Sequence, residues 1–123
     1  MSQLSEHFHR SEFACHCGCG FDTVDAELLE VLQDLRWISG SAIHITSGCR
    51  CEAHNRAVGG ARGSMHLIGR AADIASTVLR PSEVYNHFIQ AYPDRFGVGC
   101  YSNFVHIDTR AKPARWHNND DIF

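Results

Sequence analysis

The sequence predicts an α+β domain, a small and mainly antiparallel sheet with helices packed on it. Three observations carry that expectation. From Val24 to Ile38 apolar residues return every three or four positions, the period of a helix buried along one side. Four short stretches, 42–46, 71–75, 96–101 and 104–109, have the alternating or small-residue apolar character of strands. At 123 residues the chain can bury one core and not two, and it has no internal repeat or low-complexity linker, so 1–123 is expected to be a single domain.

The elements follow in order. Residues 1–22 are turn-rich and irregular, and hold the run Cys15-His16-Cys17-Gly18-Cys19-Gly20. The first helix carries Val24, Leu28, Leu32 and Leu35 inward, with Val31 and Ile38 widening the stripe. Asp22 or Thr23 is expected to cap its start, and Gly40 suits its end. Ala42–Thr46 alternates and reads as a strand. Residues 51–58 can form a short helix stopped by Gly59-Gly60, and Gly63 and Gly69 make the next segment loop-like. Ala71–Ala75 is a strand of small residues. Pro81 opens a helix over 81–92 with Val84, Phe88 and Tyr92 inward. The strands 96–101 and 104–109 are joined by Ser102-Asn103 as a hairpin-like pair, and the polar stretch 112–123 is expected to be a loose tail.

Composition narrows the function. No apolar run approaches the roughly 20 residues that span a bilayer, so no membrane span is expected. The start, Met1–His7, has neither a basic nor an apolar region, so no Sec signal peptide is expected and synthesis is read as cytoplasmic. A formal charge of −3 without a basic stripe gives nucleic-acid binding no electrostatic support. Nine His and six Cys invite either metal chemistry or a disulfide framework, and the spacings must decide between them.

Three segments can carry chemistry. On the strand Phe104–Thr109, Phe104, His106 and Asp108 share one face. A His and a carboxylate two apart can be a metal or acid–base pair, or simply the solvent face of a strand. In Ser64-Met65-His66-Leu67-Ile68-Gly69-Arg70-Ala71-Ala72-Asp73 the carboxylate lies seven residues after the His. The face neighbours of Asp73 are Ala71 and Ala75, which leave room above it for a metal or substrate; the alternative is a loop-capping Asp and a turn His. In Thr46-Ser47-Gly48-Cys49-Arg50-Cys51, Arg50 stands at a strand end, where it can grip a carboxylate or pair with Glu52 or Asp73.

Taken together, Ser-Gly-x-Arg, then Ser-x-His-x-x-Gly-x-Ala-x-Asp, then His-x-Asp on a late strand resemble the zinc D-Ala-D-Ala carboxypeptidase family and its related cell-wall endopeptidases. The likeness runs from about Leu4 to Arg110, and is strongest to the family's small, often phage-encoded or phage-derived domains. The resemblance implies a hedgehog- or DD-peptidase-like fold and a Zn²⁺ held by His66, Asp73 and His106. It implies a peptidoglycan peptide as substrate and action at the cell wall; separately, a monomer is expected. Three N, O and N ligands leave a fourth position open, as in catalytic zinc sites. Arg50 corresponds to the family's substrate-binding arginine, and Ser64 is expected to fix Asp73 or His66. Several branches carry a catalytic Glu three residues before the last His. Here that position is Asn103, which cannot take a proton, so Asp108 is the expected base and Tyr101 the alternative. The rival function is a zinc-containing wall-binding or virion module without catalysis; hedgehog domains show that such a site can serve binding.

The remaining His residues and the cysteines stay open. His44 can border the site, and His54 can contact substrate or lie on the surface. One residue between cysteines is short of the two to four in a zinc knuckle. Cys15, Cys17 and Cys19 are therefore compatible with disulfides to Cys49, Cys51 or Cys100, with reduced thiols, or with a second metal site.

Overall fold

The computed structural model describes residues 7–118. Its helices are α1 (Ala26–Ser39), α2 (Glu52–Ala57) and α3 (Pro81–Ala91), and its strands are β1 (Ile43–Ser47), β2 (Ala71–Ser76), β3 (Gly97–Tyr101), β4 (Val105–Asp108) and β5 (Ala114–Asn118). The strands form one sheet in the order β1-β2-β4-β3-β5. All neighbours are antiparallel except β3 and β5, which run parallel. The expected α+β class, with a mainly antiparallel sheet, is the one observed.

Period-2 alternation divides the sheet into two faces. Ala72, Ile74, Val98, Val105 and Ile107 point to one side, where they join Leu28, Val31, Leu32 and Leu35 of α1 and Val84, Tyr85 and Phe88 of α3 in a single core. Each large side chain buried there stabilises the fold by about 1.5–3 kcal/mol. Alternate positions, Asp73, His106 and Asp108, face the other way.

α1 begins at a different cap from the one expected. The Asp25 carboxylate, not Asp22 or Thr23, accepts from the Leu28 amide at 3.1 Å. Asp25 is selected because the loop already holds it: its amide donates to the Gly69 carbonyl at 2.8 Å, and its carboxylate accepts from the Thr109 hydroxyl at 3.2 Å. Such a cap is worth about 1 kcal/mol. Gly40, in the left-handed conformation, ends the helix as expected. Ile38 does not widen the buried stripe; it is 68% exposed, beside an exposed Trp37.

The chain beyond Lys112 is ordered, against expectation, through Asn118. β5 adds to the sheet edge along β3, and Arg115 secures it. Its guanidinium donates to the carbonyls of Phe96 (2.6 Å), Tyr92 (2.8 Å) and Arg95 (3.0 Å), filling acceptors just past the end of α3. The rest of the expected tail, 119–123, lies outside the described residues, as does 1–6 of the N-terminal segment. The described part of that segment is short on regular structure, with one 3₁₀ turn at Arg10–Phe13. It is nonetheless docked, because Phe8 and Phe13 are buried in the main core.

Candidate metal centre and active site

Sheet register draws one line of residues across all five strands. Ser47 pairs with Asp73, Asp73 with His106, His106 with Gly99, and Gly99 with Trp116. His66 enters from the 3₁₀ turn Met65–Ile68 just before β2. One ligand atom from each of His66, Asp73 and His106 lies within 4.8 Å of the others. His66 Nε2 is 3.3 Å and His106 Nδ1 3.0 Å from the same Asp73 oxygen.

The other nitrogen of each ring is spoken for, and this fixes which atom can ligate. His66 Nδ1 donates to the Gly48 carbonyl at 2.5 Å, leaving Nε2 its lone pair. His106 Nε2 donates to Asp108 at 2.7 Å, leaving Nδ1. Burial raises the pKa of Asp73, but the two imidazoles that face it, His106 and then His66, more than offset this and hold it well below the usual carboxylate range. Two oriented imidazoles and an ionised carboxylate are a fitting donor set for zinc, with room for a fourth ligand.

Each residue of the two loop motifs has a local task. Ser47 Oγ accepts from Arg50 Nε at 3.2 Å. Gly48 passes so close to Phe13 that a Cβ would strike its backbone, and its carbonyl is the one that orients His66. Arg50 also donates to Asn55 Oδ1 at 3.0 Å and to Asp73 at 3.4 Å, so the ion pair with Asp73 weighed from the sequence is present. Ser64 accepts from the His66 amide at 3.1 Å, so it shapes the turn that carries His66. Gly69 ends that turn with φ 70° against the Thr23 carbonyl.

Above the triad opens a cavity of about 590 Å³. Arg50 and Met65 line one side, and Tyr101, Phe104, Arg110 and Trp116 the other. Glycines on β3 make the second wall possible. A Cβ at Gly99 would collide with the Trp116 indole, and one at Gly97 with the Asp108–Arg110 pair. Trp116 therefore leans across β3 to within 5.3 Å of the His106 ring and donates to the Tyr101 hydroxyl at 3.1 Å. Tyr101 and Phe104 stack with centroids 4.3 Å apart.

A family model, Peptidase M15, matches residues 6–108. The chain belongs to the Peptidase M15 family. This bears out the resemblance to zinc D-Ala-D-Ala carboxypeptidases read from the motifs. M15 peptidases are zinc enzymes, and the His66–Asp73–His106 cluster is a possible zinc site of that kind. No curated protein matches the chain.

Within this M15 chain the expected base, Asp108, stands away from the cavity. Asp108 is 0% exposed and lies behind His106, outside the residues that line the cavity. Its oxygens accept from His106, from the Gly97 and Arg110 amides and from the Arg110 guanidinium. Burial raises its pKa, but His106 and Arg110 outweigh it and keep it well below the usual range. Fully engaged and shielded, it is placed to orient His106 rather than to meet water. Tyr101 does reach the cavity. Asn103 is exposed and lines a separate depression with Ile74 and Val105.

Sequence reasoning passed over three site residues. Asn55 is buried, bridging Arg50 and the Ala61 carbonyl at 2.9 Å. Arg110 holds Asp108, and Trp116 closes the wall. The Gly97-x-Gly99 alternation was a usable signal for the last two, since strand glycines mark close approach. His44 is exposed on β1, and the His54 ring meets His16, 6.1 Å away, so neither joins the triad. No disulfide joins any of the six cysteines; Cys15, Cys17, Cys19 and Cys51 are brought together instead.

Proposed function

We propose that this M15 protein hydrolyses a peptide bond in peptidoglycan stem peptides, at D-Ala-D-Ala or a neighbouring cross-link. The observation that carries the reading is the convergence of His66, Asp73 and His106 on the floor of a cavity whose rim holds Arg50. Zinc held by those three residues would supply Lewis acidity toward a carbonyl and activate a water. The protein's own groups do the rest. The Gly48 carbonyl and Asp108 fix the two rings, so no reorganisation is needed on binding. Arg50, tied by Ser47 and Asn55, presents a preformed guanidinium to a substrate carboxylate or to developing negative charge. Tyr101 accepts from Trp116, so its own hydrogen is available to donate toward the departing amine, and the tyrosinate so formed would take up the proton that the attacking water gives up.

The test is digestion of purified peptidoglycan with mass spectrometry of the fragments. Loss of a terminal alanine, or a new free amine at a cross-link, is expected and names the bond. A second reading, a zinc-containing wall-binding or virion module without catalysis, is favoured by Asn103, which stands where branches of the family carry Glu and lies away from the cavity. Sedimentation of the protein with intact peptidoglycan, combined with no fragment release over a broad substrate panel, establishes that reading instead.

A further inference from the structure

The chain places four thiols together away from the cavity, and the function proposed above makes no use of them. Ligand atoms of Cys15, Cys17, Cys19 and Cys51 all lie within 4.8 Å of one another. Cys15 is 3.5 Å from Cys17 and 3.9 Å from Cys51, and Cys17 is 3.6 Å from Cys51, sulfur to sulfur. We propose that these four cysteines form a second, purely structural zinc site that ties the N-terminal segment to the loop carrying Arg50.

Geometry supports a metal over packing. Zn–S bonds of about 2.3 Å in a tetrahedron put the sulfurs about 3.8 Å apart, and the three separations bracket that edge. The one-residue spacings, too short for a zinc knuckle in extended chain, are bent to fit. Gly18 takes φ 82° and Gly20 φ 92°. The Gly18 amide closes a turn on the Cys15 carbonyl at 3.2 Å, and Cys15 binds the Phe21 carbonyl at 2.7 Å beyond it. Two backbone amides already point at sulfur: that of Cys51 at Cys15 (3.5 Å) and that of His54 at Cys51 (3.4 Å). Cys17 and Cys19 are exposed, so no burial of apolar surface gathers them. Cys49 is the contrast within the same segment. It is buried, and its thiol donates to the Phe13 and Phe21 carbonyls at 3.2 and 2.9 Å, as a packing cysteine does.

Four protein ligands leave no open position, so this site holds chain and does no chemistry. What it holds matters: Cys51 directly follows Arg50, whose amide binds the His66 carbonyl at 2.9 Å. The clasp therefore braces the loop between the segment and the catalytic triad.

Metal analysis of protein purified under reducing conditions tests this. Two zinc ions per chain are expected. Cys17→Ser with Cys19→Ser should retain one, and His66→Ala with His106→Ala should retain the other. Cobalt(II) in the His-site variant should give an intense thiolate-to-metal charge-transfer band that the Cys variant lacks. In wild type, thiol titration should show four cysteines protected until a chelator is added, a readout that needs no variant to fold. One zinc per chain with the four thiols reactive overturns the proposal, as does a mass deficit showing disulfides among them. Neither result bears on the His66–Asp73–His106 reading, which the other pair of variants addresses.

Discussion

The two clusters of metal-ligating side chains are built on different foundations. His66, Asp73 and His106 stand on or beside the middle strands, where register places Asp73 opposite His106 and buried partners fix both rings. Cys15, Cys17, Cys19 and Cys51 stand on a glycine-bent turn and the first residue before a short helix, half open to solvent. The first arrangement keeps three ligands on one side and a cavity on the other. The second surrounds a point with four donors. Rigid strands suit a site that must hold an incomplete coordination shell in place, whereas a turn can wrap a metal and be stabilised by it.

The largest effect should separate the two clusters by kind. His66→Ala with His106→Ala is expected to lower hydrolysis by more than about 10³-fold, the scale of several kcal/mol of Lewis-acid stabilisation. Its far-ultraviolet circular dichroism should remain native. Cys17→Ser with Cys19→Ser is expected to leave activity at low temperature within about 10-fold. Its melting temperature should fall by at least about 5 °C, the worth of ~1–2 kcal/mol in a domain of this size. A Cys variant as inactive as the His variant, yet equally stable, would mean the comparison is drawn wrongly.

Asp108→Asn sharpens the role of the ring partner. Burial lowers the His106 pKa, but the hydrogen bonds it donates to Asp108 and Asp73 outweigh this, so His106 in the metal-free protein holds its proton above the usual pH. Protonated imidazole cannot bind metal, so zinc affinity should fall as pH drops through that raised value. With Asn, the pull on the proton weakens and the pH midpoint for zinc release should move down. The plateau affinity at high pH should also fall, by roughly 10- to 100-fold. Zinc titrations at several pH values read both. A weaker plateau with an unmoved midpoint would make Asp108 a packing residue only.

Arg50→Lys should act on the substrate side alone. Lysine keeps the charge but cannot span Ser47, Asn55 and Asp73 together. Zinc content near normal and kcat/KM lower by about 10-fold, or ~1.4 kcal/mol, is the expected result. Unchanged kinetics would leave Arg50 as a structural partner of Asp73.

The sheet-borne cluster could be read from sequence because strand alternation and short spacings tie side-chain direction to residue number. Phe104, His106 and Asp108 had to share a face whatever else the chain did. The role of Asp108 could not be read that way, since its burial comes from Arg110 and the Gly97 amide, contacts that alternation does not encode. β5 was missed for a similar reason. Ala114–Asn118 is polar, and its order comes from pairing along β3 and from Arg115 reaching the carbonyls after α3. The cysteines converge only because two glycines adopt positive φ and Cys51 arrives from 36 residues past Cys15, a tertiary event with no local signature.

The smallest predicted effects compare a glycine in each foundation. At Gly99 a methyl group would meet the Trp116 indole with the backbone in an ordinary strand conformation, so the cost is steric. Gly99→Ala should lose about 1–3 kcal/mol of stability, the usual range for overpacking. It should push Trp116 off the Tyr101 hydroxyl, raise KM a few-fold, and leave the thiol count of the cysteine cluster unchanged. At Gly18 there is open space around a Cβ, but φ is 82°, so the cost is conformational. An L-residue held in the left-handed region costs about 1–2 kcal/mol. Gly18→Ala should therefore loosen the cysteine turn, speed thiol labelling after chelation, and leave KM where it was. Fluorescence of Trp116, read against Trp37→Phe as background, and thiol-labelling rates measure the two sides independently. If Gly99→Ala altered thiol labelling, or Gly18→Ala altered KM, strain would be passing between the foundations through the Gly48–Cys51 loop, and the two clusters would be one coupled unit.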